Sequence, residues 1–242
     1  MSRSNPTSNS PNPCTRWFEW DGTKGVPGYY DKTEKKYVEL PADLTFILLD
    51  RLGSIRGWHE KSQSIIYSNE VRDTRQEPFV VKSFKGGLLA EGIYAGIKDR
   101  VNAHGGDFTL NCYLAYKNAE GQLVLGSIQF KGAALRAWMD FEKASGADLY
   151  KKAVRIKGSK DGKKGAVEFK TPCFFLVDCA EDTNKQAVAI DVELQAYLKG
   201  YFSRPKVEAA SHTHEEAASS KPPTDEEAAQ GAPAEEEEQI PF

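Results

Sequence analysis

Phe108, Leu110, Cys112, Leu114 and Tyr116 stand at every second position of one stretch. A period of two puts all five on one side of an extended chain, which no helix can do. Asn118-Ala119-Glu120-Gly121 then supplies turn residues, and residues 123–131 supply a second apolar run. A β-hairpin is therefore predicted over residues 107–131. Around it lie further strand signals. Gly28-Tyr29-Tyr30 and Tyr37-Val38 flank a charged turn at residues 31–36. Residues 44–58 begin as an unbroken apolar run and continue past Gly53 and Gly57, where a bulge or sharp bend is predicted. Ile65-Ile66-Tyr67 and Phe79-Val80-Val81 read as short strands. Residues 150–157 and 166–178 read as a second hairpin, joined by a basic loop over 158–165.

Helical periods interrupt this pattern in three places. Ile93, Ile97 and Val101 recur at helical spacing until His104-Gly105-Gly106 stops them. Residues 133–144 form a second helix. A third starts near Thr183, where Thr183 and Gln186 fit a capping box, and carries the stripe Ile190, Leu194, Tyr197, Leu198 and Tyr201. Leu194 and Leu198 belong either to the core or to an oligomer contact. The predicted class is mainly β with flanking helices. A five-stranded barrel of the OB type has its helix between the third and fourth strands, and the helix before residue 104 suits that slot. The expectation is an OB-fold barrel with a small α+β extension.

Composition sets the limits of that domain. From Val207 to Phe242 there are ten Asp and Glu against one Lys, a charge of −9. The first 206 residues then hold 31 Lys and Arg against 25 Asp and Glu, or +6. The terminal segment has no aromatic residue before Phe242, so it cannot bury enough apolar surface to offset its ordering entropy. The expected organisation is a disordered arm over 1–13, a folded domain over 14–206, and a disordered acidic tail over 207–242. The start of the chain lacks an apolar signal core, and no apolar run reaches membrane-spanning length. Cys14, Cys112, Cys173 and Cys179 form no C-x-x-C pair, and Cys112 reads as a buried small hydrophobe. A reducing cytoplasm is expected, with no metal and no cofactor.

A basic body with an acidic tail points to a polyanionic partner. Of the 26 aromatic residues, 25 lie in the body, and many alternate with cations. The first such stretch is Arg16, Trp17, Phe18, Trp20, Lys24, Tyr29, Tyr30, Lys32, Lys35, Lys36 and Tyr37. The second is Arg56, Trp58, Lys61, Tyr67, Arg72, Arg75, Lys82, Phe84 and Lys85. Single strands are bound without sequence preference by rings that stack on bases and cations that follow phosphates. The residues assigned to DNA are Arg16, Trp17, Trp20, Lys24, Tyr29, Tyr30, Lys35, Lys36, Trp58, Tyr67, Arg72, Arg75, Lys82, Phe84 and Lys131. Alternation puts Phe18 and Trp20 on one side and Trp17 on the other, so part of this set belongs to the core. Lys157, Lys160, Lys163 and Lys164 make the basic loop a further candidate. No P-loop, G-x-S-x-G or H-E-x-x-H is present, His59 and His104 stand alone, and no catalytic residue is assigned.

The chain ends Glu235-Glu236-Glu237-Glu238-Gln239-Ile240-Pro241-Phe242. A tail that only solubilises has no use for a terminal Ile and Phe. Such a tip can place Phe242 in an apolar pocket of a partner while a basic residue there meets the terminal carboxylate. This ending resembles the acidic tip of bacterial single-stranded DNA-binding proteins, which reads Asp-Asp-Asp-Ile-Pro-Phe. Gln239 and the upstream Glu residues depart from that pattern. Within the body, residues 12–20 and Gly132-Ala133-Ala134-Leu135 with Ala137-Trp138 resemble single-stranded DNA-binding proteins of tailed phages. The resemblance implies a non-enzymatic protein of the bacterial cytoplasm that coats and protects single strands during phage replication and recombination. It also implies that Ile240, Pro241 and Phe242 recruit replication and repair proteins. Two rivals remain at this point: an adaptor that imitates the tail without binding DNA, and a recombination nuclease or annealing protein.

Overall fold

The computed structural model describes residues 11–41 and 43–203. The expected tail and its tip lie outside the described residues, as do residues 1–10 of the expected arm; residues 11–13 carry no helix or strand. Eleven strands follow in one sheet: β1 Arg16–Asp21, β2 Val26–Asp31, β3 Lys36–Glu39, β4 Asp43–His59, β5 Ser64–Ser68, β6 Phe79–Ser83, β7 Gly87–Gly92, β8 Gly106–Lys117, β9 Leu123–Lys131, β10 Ala153–Lys164 and β11 Val167–Val177. Three helices flank them: α1 Tyr94–Ala103, α2 Gly132–Ser145 and α3 Glu181–Phe202. The main path is β3-β2-β1-β9-β8-β4-β5-β6-β7, and all its pairs are antiparallel except β1 with β9.

The long strand β4 organises the sheet. One edge pairs with β8 from Phe46 to Gly57. The other edge is shared: β10 takes Asp43 to Phe46, β5 takes Gly57 to His59, and Val71 bridges Gly53 between them. The mainly β class with flanking helices is met, and α1 falls between β7 and β8. The sheet is nevertheless open. β3 and β7 end the path, and no ladder among the described residues joins them, so closure into a barrel is not seen.

Alternation sorts the side chains. On one side, Phe18, Trp20, Phe46, Leu48, Leu110, Cys112, Leu114, Ile128 and Phe130 pack together. Helix α2 covers them with Ala134, Leu135, Trp138 and Phe141, the spacing of one helix face. Trp138 is fully buried, stacked on Phe130 at 5.1 Å and edge-on to Phe174 at 5.2 Å. Further along the same side, Ile55, Ile66, Phe79, Val81 and Phe108 meet Ile97 and Val101 of α1. On the opposite side α3 lays Leu194, Tyr197, Leu198 and Tyr201 over Leu52, Tyr113 and Leu125. The middle of β8 is thus buried on both sides, Tyr113 as fully as Cys112.

Three sequence expectations are corrected. The register of β4 against β8 shifts between Leu48 and Asp50, not at a glycine. Gly53 instead leaves room for the Phe108 ring, which a Cβ would approach to 2.9 Å, and Gly57 lets the Gly105 carbonyl come close. The basic loop over 158–165 is strand for most of its length, with ladder pairs from Ser159–Pro172 to Lys164–Val167 and the turn at Gly165. Helix α3 starts at Glu181 with Ala180 as its cap, and no side chain caps it, so Thr183 and Gln186 form no capping box. Glu181 and Asp182 in its first turn meet the positive end of the helix dipole.

Candidate nucleic-acid interface

The end of β4 pairs with β5, and β5 in turn with β6. Trp58 pairs with Ile65 across one ladder and Tyr67 with Lys82 across the next. Because Ile65 and Tyr67 are two apart on β5, these four side chains share the side opposite to Ile66 and Val81. Leu88 of β7 stands opposite Lys82. Phe84 follows at the end of β6, tied back by its backbone N–H donating to the Ile65 carbonyl at 3.0 Å. Phe84 is 57% exposed and Leu88 55%, while Tyr67 is buried, at 8%, and packs on Ile65. Burial raises the Tyr67 phenol above its ordinary pKa, so the ring is neutral at physiological pH. Lys61 and Lys85 are exposed at the same end of the sheet. Four of the residues assigned to DNA from the sequence, Trp58, Tyr67, Lys82 and Phe84, are brought together here. Ile65 and Leu88 join them unannounced. Only the Gly86-Gly87 turn before Leu88 hinted at a strand there.

A serine and histidine network supports this end from below. His59 Nδ1 and Ser62 Oγ lie 2.7 Å apart, Ser62 Oγ and Ser64 Oγ 2.8 Å. The N–H of Lys85 donates to Ser64 Oγ at 3.1 Å, and that of Gly86 to Ser83 Oγ at 2.9 Å. The β6–β7 turn that presents Phe84 and Lys85 is thereby held to the 3-10 turn Glu60–Ser62. His104 meets His59 edge-on at 5.3 Å between centroids, and its pKa is lowered by burial first and then by His59, Lys61 and Arg100 nearby, so it is neutral at pH 7.

The other assigned residues are spent differently. Trp20 is 6% exposed and packed in the core, its indole N–H donating to the Lys170 carbonyl at 2.8 Å; it is not a DNA contact. Arg16 and Tyr29 face the Phe18 side, with the guanidinium 4.0 Å above the Tyr29 ring. Trp17 faces the other way, half-buried against the α3 cluster with the Lys32 ammonium 4.9 Å from its ring centre. Tyr30 pairs with Tyr37 across β2 and β3. Lys24 is ion-paired with Glu39, and Lys36 lies 3.7 Å from Glu34. Lys35 is exposed in the turn between β2 and β3, at a φ of 51°. Arg72 pairs with Asp50 at 2.8 Å, reaches Gln195 and sits over Phe202, so it fastens α3 to the sheet. Arg75 is exposed, in a turn where its N–H donates to Asp73. Lys131 is exposed at the start of α2 and draws down the pKa of nearby Asp107, which burial raises.

Between the two regions lies a buried carboxylate that sequence reading passed over. Glu70 accepts from Asn111 Nδ2 at 2.6 Å and from the Tyr113 hydroxyl at 2.7 Å. Its own N–H donates to the Tyr201 hydroxyl at 2.7 Å. Burial raises its pKa, with the two hydrogen bonds and the Arg56 charge opposing that shift. Neither a motif nor a spacing marks Glu70, because its partners lie far along the chain. Among the described residues no group of three or more His, Cys, Asp and Glu could hold a metal ion, and no helix is long and apolar enough to cross a membrane. Comparison with protein-family models, with curated proteins and with solved structures finds no match in any of the three.

Proposed function

We propose that this protein binds single-stranded DNA with little sequence preference, through the outer side of β4–β7, and protects it during replication and recombination. One observation carries the reading. Trp58, Ile65, Tyr67, Phe84 and Leu88 form an apolar, ring-bearing side, Lys82 stands opposite Tyr67, and Lys61 and Lys85 are exposed at the same end of the sheet. A face of strands bearing rings and cations is the surface on which OB folds receive oligonucleotides. The acidic tail has a separate role. Its tip, Ile240-Pro241-Phe242, recruits replication and repair proteins, of the phage or of its bacterial host.

Titration of labelled oligo-dT at two salt concentrations tests the DNA reading. Affinity should fall as salt rises, with a slope of about −0.7 per neutralised phosphate. No binding, or binding indifferent to salt, contradicts it. Deleting residues 207–242 removes a charge of −9 and should leave DNA affinity equal or tighter. Phe242→Ala should abolish capture of replication proteins and leave DNA affinity unchanged; intact capture would refute the tip's role. An adaptor that never touches DNA predicts tip-dependent capture with no titration signal.

A further inference from the structure

The β10–β11 ribbon outgrows the sheet that supports it. β10 pairs with β4 only from Val154 to Lys157, and from Ser159 to Lys164 its ladder is with β11 alone. The extension is anchored at its middle, where Lys170 pairs with Asp161. Trp20 donates to the Lys170 carbonyl, and the Lys170 N–H donates to the Gly22 carbonyl at 2.6 Å. The two sides of the ribbon differ in charge. Asp161 and Lys163 share a side with their ladder partners Lys170 and Glu168, and both pairs are closed, at 2.8 Å and 3.2 Å. The other side carries Lys160, Gly162 and Lys164 opposite Thr171, Phe169 and Val167. Among the described residues no ion pair engages the side chain of Lys160 or Lys164. Alternation along β11 places Phe175, 51% exposed, on the same side as Phe169. The Phe169 ring covers Gly162, where a Cβ would collide with it. One side of the ring is thus seated on backbone, and the half-buried residue leaves the other to solvent.

A ring laid over a cross-strand glycine also stabilises a ribbon. That role explains Phe169 and Gly162 but not the charge sorting, nor the exposed Phe175. Uncompensated cations beside open rings match a polyanion with stackable bases, not an acidic or apolar protein surface alone. We infer that the Lys160, Lys164, Phe169 and Phe175 side of the ribbon is a second contact for single-stranded DNA, used by strands long enough to run beyond the β4–β7 face. Phe169 and Phe175 are about 20 Å apart along the strand, a distance several nucleotides span. The inference rests on the single-strand reading above.

The test uses the full chain and its Lys160→Gln/Lys164→Gln and Phe169→Leu variants. Each is titrated with dT oligomers of roughly 10 and roughly 40 nucleotides, which bracket the site sizes of such folds. On the long oligomer, the lysine variant should lower the salt slope by about 1.4 and Phe169→Leu should weaken binding about fivefold or more. On the short oligomer both should match the parent. The lysine variant alters exposed side chains only, so it keeps the test free of folding effects. Parent-like binding of the long oligomer by both variants overturns the ribbon contact and leaves the β4–β7 reading standing. Equal losses on both oligomers overturn the ribbon as a separate second contact. If the parent itself binds neither oligomer, the single-strand reading falls and the ribbon inference with it.

Discussion

Residues 16–37 and residues 56–85 look alike as sequence, since both interleave rings with cations, yet the fold uses them in opposite ways. In the first region Trp20 is core, Arg16 lies on Tyr29, Lys32 on Trp17, and Lys24 on Glu39. Its rings and cations are largely matched within the molecule. In the second region Arg72 is pinned to Asp50 and Phe202, but Trp58, Tyr67, Lys82 and Phe84 share one outer side. The difference arises from cover. β1 lies between the core under α2 and the flank of α3, whereas Trp58 at the end of β4 packs in neither cluster.

The largest effect expected from this contrast is on stability. Trp20→Ala should cost about 3–5 kcal/mol, the range for a buried Trp or Phe, while Trp58→Ala should cost less than about 1 kcal/mol. Urea denaturation of the two variants decides it; equal losses would erase the distinction. Next comes Glu70, whose carboxylate ties the second region to β8 while its N–H ties it to α3. Glu70→Ala leaves Asn111 and Tyr113 without their acceptor and should cost about 2–4 kcal/mol. Glu70→Gln should behave otherwise. Burial raises the folded pKa of Glu70 above its unfolded value, so this group's contribution is favourable at low pH and is lost as pH rises through the folded pKa. The stability of Glu70→Gln relative to the parent should therefore improve from pH 4 to pH 8, as read by thermal melts. A relative stability that declines over that range would mean the carboxylate is held by charge more than it suffers from burial.

Smaller in energy, and more telling for function, are the rings. Phe84→Ala and Trp58→Ala should each weaken oligo-dT binding by about fivefold to 150-fold, the range for one stacked base. Tyr30→Ala in the first region should change it less than about twofold. Smallest is the charge effect. Lys82→Gln/Lys85→Gln should lower the salt slope by about 1.4, and Lys24→Gln/Lys36→Gln should leave it unchanged, because those two lysines already meet Glu39 and Glu34. A reversed ranking in either series would transfer the site to β1–β3.

Much of the sheet was legible because alternation is a local signal. The β8–β9 hairpin, the three helices and the apolar side of β8 follow from period alone. What alternation cannot say is which side meets the core. Trp20 and Trp58 read identically along the chain, and the cover over the first comes from α2 and from the ribbon around Lys170, more than a hundred residues away. For the same reason the burial of Tyr113 and Asn111 under α3 was invisible. Residues 158–165 read as a loop because Gly and Lys are weak strand formers; cross-strand ion pairs to Glu168 and Lys170 hold them in the ladder instead. Arg72 shows the converse, a cation that resembles a phosphate contact until its carboxylate partner is seen.

Photocrosslinking tests the central claim most directly. The full chain is bound to a bromodeoxyuridine-substituted single strand, irradiated, digested and mapped by mass spectrometry. The account predicts adducts in the peptides holding Trp58, Tyr67 and Phe84, lost when unlabelled oligo-dT competes. Adducts confined to the peptides of β1–β3, or none above the level seen with denatured protein, would contradict it.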